Sequence, residues 1–498
     1  MKKLDIFLIF VLILVLIIFA LNNIHNPNLW YDEAGQFLMA KGLNHFSPFL
    51  APASTNIADV IYNNSIYNRD PGGFTLLLFF YTLVSNSIEW LRFLPYLFFV
   101  LSVVAFIAIT KELSGSLRLG LISGLLFFLL LPTRILLYFA FEVRAYSMEV
   151  CGIFMCFYLL LKTYRNPDKI NLLLLGLVSA FFMGSRYSFW VYAFIVTLAL
   201  FIYVFKNSLK NFVLKGYLYY LPLLISTLFF IFTAAIAHSA RILPHTYDYM
   251  LAYQDLVMKI QIFKLNFLHL SALPVTIFLI TFLFLKNKDK KFSMLFFVVI
   301  FYELIFIALS FMGKHPWHIY GRWSIGLHAL SISCSTALLS LIYNKFNNVR
   351  YLNLFLVLVI PFITLNFIKD KKIPDKDDLL SSIMQLEKAD KNFYNYKYFI
   401  PNETTPVIKY QFEYGKLADE KYRKIYPGNM IMDDKNNKLK GANVVLFTYY
   451  FPQERREMLN KLNEGGGFNY KWFNGDIVFI TRDALSDTPL PAQNYKQP

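Results

Sequence analysis

The sequence predicts an all-α polytopic membrane domain followed by a small C-terminal α/β domain. Of its 498 residues 57% are hydrophobic and 18% aromatic, and only 16% are charged. Soluble domains have about 25% charged residues, so the composition disfavours a soluble enzyme, a disordered protein or a fibre. The three cysteines fall inside apolar runs, and the sequence has no CxxC or His/Cys spacing typical of a zinc site.

Eleven apolar runs predict membrane-spanning helices, because about 20 helical residues cross a hydrocarbon core of about 30 Å. The first run is interpreted as a retained helix, since no small-residue cleavage site follows it. A further run, 74–84, is too short to span and predicts a helix in the outer interface. The eleven runs are 4–21, 91–110, 118–134, 147–162, 170–185, 188–205, 212–236, 263–285, 292–312, 322–344 and 351–367.

Positive charge predicts the orientation of these helices. Residues 1–367 contain 27 Lys and Arg residues, and 16 of them lie at the N-terminus or in short loops that share one side if 74–84 does not span. Such basic loops face the cytoplasm. We therefore expect a multi-pass protein of the cytoplasmic (inner) membrane, with a cytoplasmic N-terminus and an extracytoplasmic C-terminus. Most of the net charge of +16 orients the chain and gives no support to nucleic-acid binding. The basic loops are 111–118, 162–169, 206–215, 286–291 and 345–350.

Residues 368–498 have a balanced composition, with 21 basic and 18 acidic residues. They predict a soluble α/β module that follows a transmembrane domain of residues 1–367. The sequence contains no acid/base cluster there, which favours a scaffold or partner-binding domain over a chemical centre. Its predicted elements are helices at 379–391 and 452–463, a strand at 443–450, and a hairpin of 470–473 and 476–480 around Asn474-Gly475.

The long first loop (22–90), predicted to be outer, carries the sharpest candidate for chemistry. Trp30-Tyr31 is typical of an interfacial anchor, and Asp32-Glu33 places two carboxylates beside it. The plain alternative is that both acids lie in the first turn of a helix, where they favour its dipole.

Two further clusters are predicted at the same face of the membrane. Glu142 to Ser147 lies between two predicted spans, and Arg69-Asp70-Pro71-Gly72-Gly73 precedes the short helix. Their plain alternatives are a local salt bridge and ordinary turn chemistry. Carboxylates and arginines in one cavity fit sugar transfer, because a carboxylate can deprotonate an attacking hydroxyl and arginines can stabilise a departing phosphate. The other candidates on this face are Arg186, Arg241, Arg322 and His318.

Five short motifs, in order over residues 1 to about 345, resemble the GT-C superfamily of integral-membrane glycosyltransferases. The similarity is greatest to its protein O-mannosyltransferase and aminoarabinose (lipid A) transferase branch. Asp70-Pro71-Gly72-Gly73 departs from the His-Pro-Pro-Leu-type segment that the family usually has there. The motifs are Trp30-Tyr31-Asp32-Glu33-Ala34, Asn68-Arg69-Asp70-Pro71-Gly72-Gly73-Phe74, Leu91-Arg92-Phe93-Leu94-Pro95, Glu142-Val143-Arg144-Ala145-Tyr146-Ser147 and Arg322-Trp323.

This resemblance implies an inverting transfer from a polyprenyl-phosphate sugar to a lipid, glycan or protein acceptor. Asp32 would be the general base with Glu33 beside it, and Glu142 would orient Arg144 or join Asp32 in binding Mg²⁺ or Mn²⁺, which some members use. The donor phosphate would be held by Arg144, Arg322 and Arg69, with Arg186 and Arg241 as further candidates and Tyr146, Asp70 and His318 in support. Two alternatives remain open: a transporter or flippase of lipid-linked sugars, and a polymerase or ligase of surface glycans.

Overall fold

The chain is mostly helical in its computed structural model. The structure describes residues 3–44, 47–68, 70–130, 133–240, 272–284, 289–311, 325–345, 350–369, 371–373, 379–390, 392–400, 404–432, 444–446, 469–473 and 477–481. Two compact units divide the chain. The first consists of Met1–Ile24, Asn64–Leu78 and Arg92–Ile373, and the second of His25–Asn63, Phe79–Leu91 and Pro374–Pro498.

Helices follow one another closely over the first 240 residues. Helix α10 continues through a π-helical turn, Leu200–Val204, and a bend of 75° separates α11 from α12. The helices are α1 (Lys3–Asn23), α2 (Tyr31–Ala40), α3 (Ile57–Tyr67), α4 (Gly73–Thr82), α5 (Ile88–Ser114), α6 (Leu117–Leu126), α7 (Thr133–Tyr138), α8 (Tyr146–Arg165), α9 (Lys169–Phe182), α10 (Tyr187–Ala199), α11 (Leu209–Lys215) and α12 (Tyr217–Ala240).

Four longer helices and two short ones follow in the described part of the chain. They are α13 (Ala272–Phe284), α14 (Lys290–Phe311), α15 (Ile325–Lys345), α16 (Arg350–Lys369), α17 (Leu379–Ala389) and α18 (Thr405–Glu413). Five strands form one sheet of order β2-β1-β3-β5-β4. They are β1 (Tyr398–Ile400), β2 (Met430–Met432), β3 (Val444–Leu446), β4 (Asn469–Phe473) and β5 (Ile477–Thr481).

Six helices among the described residues are long and apolar enough to cross a membrane, and the bent pair α11–α12 would make a seventh. The predicted count of eleven is therefore not confirmed. Four of the predicted spans correspond to apolar helices of 10 to 17 described residues: Leu117–Leu126, Lys169–Phe182, Pro274–Leu283 and Val359–Lys369. The six are Lys3–Asn23, Ile88–Ser114, Tyr146–Arg165, Tyr187–Val204, Lys290–Leu309 and Ile325–Tyr343.

Helix α4 is the short helix predicted from the run 74–84. It has 10 residues, and at about 1.5 Å per residue it extends roughly 15 Å, half of a hydrocarbon core. Its length agrees with the prediction that this run does not span, whereas its place in the outer interface stays a prediction.

Some charged residues of the first unit pair with one another near the helix ends that adjoin the predicted basic loops. Arg118 at the start of α6 pairs with Asp5 of α1 at 3.2 Å. Arg165 at the end of α8 lies 3.8 Å from Glu112 of α5, and the Lys291 ammonium of α14 donates to the main-chain carbonyl of Glu112 at 2.8 Å. Loops that the charge pattern places on one side of the membrane therefore meet at one end of this unit.

The sheet belongs to the second unit. Strand β1 pairs in parallel with β2 and β3, and β5 pairs antiparallel with β3 and β4. The β4–β5 pair flanks the interval that contains Asn474-Gly475, with Phe473 opposite Ile477. The predicted helix at 452–463 lies outside the described residues.

Candidate functional site

Three helices of the first unit begin beside one another and carry the candidate charged residues. Asp70 lies just before α4, Arg144 just before α8, and Arg186 immediately before α10. The unpaired N–H groups of a helix N-terminus give it a positive partial charge.

Glycine explains how α4 comes so close to the turn between α9 and α10. The Gly73 N–H donates to the Gly184 carbonyl at 2.9 Å, and a Cβ on Gly73 would lie only 2.6 Å from the Gly184 Cα. Gly72 has φ +103°, a backbone conformation that favours glycine. The Asp-Pro-Gly-Gly segment therefore forms a turn, as the plain alternative predicts. The turn also places Asp70 next to Arg186.

Buried Asn64 of α3 holds the turn from the other side. Its amide nitrogen donates to the Asp70 carbonyl at 3.2 Å. Its amide oxygen accepts from Asn68 at 3.0 Å and from the Thr75 hydroxyl at 2.5 Å. The backbone around Asp70 is therefore fixed at several points by one side chain.

Asp70 bridges two guanidinium groups. Its Oδ2 lies 3.4 Å from Nη2 of Arg144 and its Oδ1 lies 3.4 Å from Nε of Arg186. Arg186 also donates from Nη1 to Oε2 of Glu149 at 3.1 Å. Glu149 in turn accepts from the Ser188 hydroxyl at 2.5 Å. The exposed fraction of these four charged side chains is at most 12%. The result is a buried chain of alternating charge.

Tyr146 at the start of α8 lies against both arginines. The guanidinium carbons of Arg144 and Arg186 lie 5.8 and 5.0 Å from the centre of its ring, distances that allow cation–π attraction. Buried Arg92 donates to the Phe141 carbonyl at 2.9 Å, which anchors the turn that leads to Arg144. The Arg-Leu-Pro-like motif thus holds the Glu-Val-Arg motif in place.

Two arginines and two carboxylates balance one another in this network. The helices α4, α8 and α10 begin within three residues after Asp70, Arg144 and Arg186. A phosphate could compete with the carboxylates for the two guanidinium groups, because a guanidinium can bind phosphate through two parallel N–H donors.

Asp32 and Glu33 belong to the second unit, in the first turn of α2. Glu33 is buried, and its Oε2 accepts from the Trp30 N–H at 3.2 Å. This is a capping contact, and it agrees with the plain alternative for Glu33. Asp32 is partly exposed, so of the two acids it is the one open to a reactant.

The structure places Asp70, Arg144, Arg186 and Tyr146 beside one another, and their role in holding a donor phosphate stays a prediction. Glu142 is buried in the turn before Arg144, and its carbonyl accepts from the Arg144 N–H at 2.6 Å. The carboxylate of Asp70 pairs with the Arg144 side chain. Four predicted residues lie outside the described residues: Arg69, Arg241, Arg322 and His318.

Sequence reasoning missed Glu149 and Ser188. The signal for Glu149 was present, because a carboxylate inside a predicted span is costly unless it is paired. Because Glu149 lies inside the predicted span 147–162, the sequence alone assigns it no role.

No group of three His, Cys, Asp or Glu side chains among the described residues could hold a metal ion. Asp32 and Glu142, the two predicted ligands, belong to different compact units. Binding of Mg²⁺ or Mn²⁺ by Asp32 and Glu142 therefore stays a prediction.

Comparison with known proteins finds no matching family model and no matching curated protein. The structure is similar to solved oligosaccharyltransferases from Archaeoglobus fulgidus. A crystal structure with Zn and sulfate has a TM-score of 0.49 and 12% identity, over 95% of this chain and 73% of that one. AglB with an inhibitory peptide and a dolichol-phosphate has a TM-score of 0.49 and 11% identity, over 97% and 75%.

Proposed function

We propose that the protein is a membrane glycosyltransferase that moves a sugar from a polyprenyl-phosphate donor to a lipid, glycan or protein acceptor at the outer membrane face. The observation that supports it most is the convergence of Arg144 and Arg186 on Asp70 at the N-termini of three helices. A lipid-borne donor reaches such a site from the bilayer without soluble nucleotide.

The donor phosphate takes its place among the arginines in competition with Asp70. Both guanidinium–Asp70 distances are 3.4 Å, longer than the 2.7–2.9 Å of a strong charge-assisted hydrogen bond. The Arg186–Glu149 contact is tighter, at 3.1 Å. Glu149 therefore holds Arg186 in place while Asp70 is the exchangeable partner.

The reaction we propose is a single displacement. Asp32 accepts the proton of the acceptor hydroxyl while its oxygen bonds to the anomeric carbon of the sugar. The bond from that carbon to the phosphate oxygen breaks, and its electron pair leaves with the phosphate, whose negative charge the arginines stabilise. One displacement inverts the configuration at the anomeric carbon.

A transfer assay with purified protein and a radiolabelled polyprenyl-phosphate sugar tests this proposal. We expect product in detergent, where no membrane gradient exists, and its loss in Asp32→Asn. The matched control is Asp419→Asn, which changes an exposed acid of the tail and should retain transfer. Full activity of Asp32→Asn would exclude Asp32 as the base. Donor binding without product would favour the transporter alternative.

A further inference from the structure

Helix α18 of the C-terminal tail contacts the first loop through a buried lysine. Lys409 has no exposed surface. Its ammonium donates to the main-chain carbonyls of Ser47 and Pro48 at 3.1 and 2.8 Å. Lysine is almost never fully buried unless it is paired. Burial lowers the pKa of Lys409, and nearby Glu413 acts in the opposite direction. Burying the Lys409 ammonium is costly, and its hydrogen bonds fix two main-chain carbonyls of the first loop.

A second residue of the same helix holds the next turn of that loop. Oε1 of Glu413 accepts from the Leu50 N–H at 2.8 Å and also from the Tyr426 hydroxyl. Leu50 has φ +59°, a left-handed conformation that is strained for a non-glycine residue. Such strain persists only where surrounding contacts fix the backbone, and here the contact comes from the tail.

The same helix packs on α2, which carries Asp32. The Phe37 ring lies edge-on between Tyr410 and Tyr414, with ring centres 5.1 and 5.0 Å away. Just before α2, the Pro27 carbonyl accepts from Nε2 of Gln411 at 3.2 Å. Helix α18 and Tyr414, the residue after it, therefore contact the segment that contains Asp32 both before α2 and within it.

We infer that α18 acts as a clamp: through its contacts with the first loop and with α2, it positions the helix that carries Asp32. Lys409 and Glu413 are the positioning residues. The tail is then part of the proposed active site. This inference rests on the proposed function and extends it. It gives a specific positioning role to the scaffold or partner-binding domain that the sequence predicts in the tail. Misplacement of a reacting group by about 1 Å can lower a rate on the order of 100-fold, so loosening the clamp lowers kcat.

The test uses the full chain with Lys409→Met, which keeps the length of the side chain and removes its donors. We expect faster hydrogen exchange in residues 44–56 and in α2, and a fall in kcat on the order of 100-fold. KM for the donor should stay unchanged, because the arginines belong to the other unit. The matched control, Lys416→Met, alters an exposed lysine and should change neither measurement.

Glu413 provides a second pair of variants, in case Lys409→Met does not fold. Glu413→Ala removes the acceptor of the Leu50 N–H, whereas Glu413→Gln keeps a carbonyl oxygen there. Lower kcat with Ala and rescue with Gln would support the clamp. Unchanged exchange in residues 44–56, or unchanged kcat despite faster exchange, would overturn it. Absence of transfer by the unaltered protein would defeat the proposed function instead, and the exchange measurements would still decide whether the clamp exists.

Discussion

Arg186 is the residue on which the candidate site depends most. One guanidinium donates from Nε to Asp70 and from Nη1 to Glu149, and its face lies over the Tyr146 ring. Only a planar fork can reach both carboxylates at once. Because the side chain is buried, removing one member of the network leaves another charge uncompensated, which costs about 3–5 kcal/mol.

Replacing Arg186 with lysine tests this dependence. Arg186→Lys keeps the charge, but a single ammonium cannot bridge Asp70 and Glu149. We expect a lower melting temperature and a donor KM raised about tenfold, equivalent to about 1.4 kcal/mol of binding free energy. Radiolabelled transfer at varied donor concentration measures KM, and a thermal melt measures stability.

The matched control is Arg165→Lys. Arg165 is 68% exposed and lies 3.8 Å from Glu112, and such surface pairs contribute about 0–1 kcal/mol. Equal donor KM for Arg186→Lys and Arg165→Lys would contradict the role of Arg186 as the phosphate ligand.

The sequence identified most charged members of the network but not how they are paired. Arg144 stands out because an ionisable residue at the mouth of a predicted span needs a reason, and Asp70 stands out because it precedes the turn residues Pro71, Gly72 and Gly73. Glu149 does not stand out, because it lies just after the start of the predicted apolar span 147–162. The sequence does not distinguish the adjacent acids Asp32 and Glu33. In the structure Glu33 is buried and accepts from the Trp30 N–H, whereas Asp32 is partly exposed.

Among the elements, the α4 turn shows how close backbone approach shapes the site. Gly73 and Gly184 meet at their Cα atoms, and no side chain fits between them. The sequence shows glycines after Asp70-Pro71 and predicts a turn there, but it does not show that Gly184, in a distant loop, lies opposite. A short motif does not reveal which distant residue will lie against it.

Gly73→Ala should therefore damage the site without touching a charged residue. Its Cβ would lie 2.6 Å from the Gly184 Cα, so the backbone must shift and carry Asp70 away from Arg186. Overpacking typically costs about 1–3 kcal/mol. We expect a lower melting temperature and reduced transfer, and Gly184→Ala should act in the same way.

Gly428→Ala is the control for a glycine substitution, because a Cβ there meets nothing within 4 Å. It should leave melting temperature and transfer near those of the unaltered chain. Normal transfer by Gly73→Ala would show that the approach of α4 to Gly184 does not shape the site.

The ends of two helices explain part of the difference between the predicted number of spans and the number found among the described residues. Apolar composition alone does not mark where a helix ends. Helix α9 ends at Phe182, four residues before Arg186, and α6 ends at Leu126 within the predicted run 118–134. The turns after these two helices are tertiary features that hydropathy does not record.

At the scale of the whole molecule, contacts within each unit join chain segments that the charge pattern predicts on one side. The contacts Asp5–Arg118, Glu112–Arg165 and Lys291–Glu112 join loops that the positive-inside rule places together. In the second unit, the bonds from Lys409 to Ser47 and Pro48 join the first loop to the tail. The side of the membrane on which these segments lie stays a prediction.

Single cysteines test the predicted orientation in intact cells. Ala53→Cys in the first loop, Lys416→Cys in the tail and Asn166→Cys in a basic loop each replace an exposed residue, and the three native cysteines are buried. A membrane-impermeant maleimide should label positions 53 and 416 in intact cells, but position 166 only after permeabilisation, because basic loops face the cytoplasm. Labelling of position 166 in intact cells would reverse the orientation and move Asp32 to the cytoplasmic side. Labelling of 53 and 416 from opposite sides would contradict the contacts of Lys409.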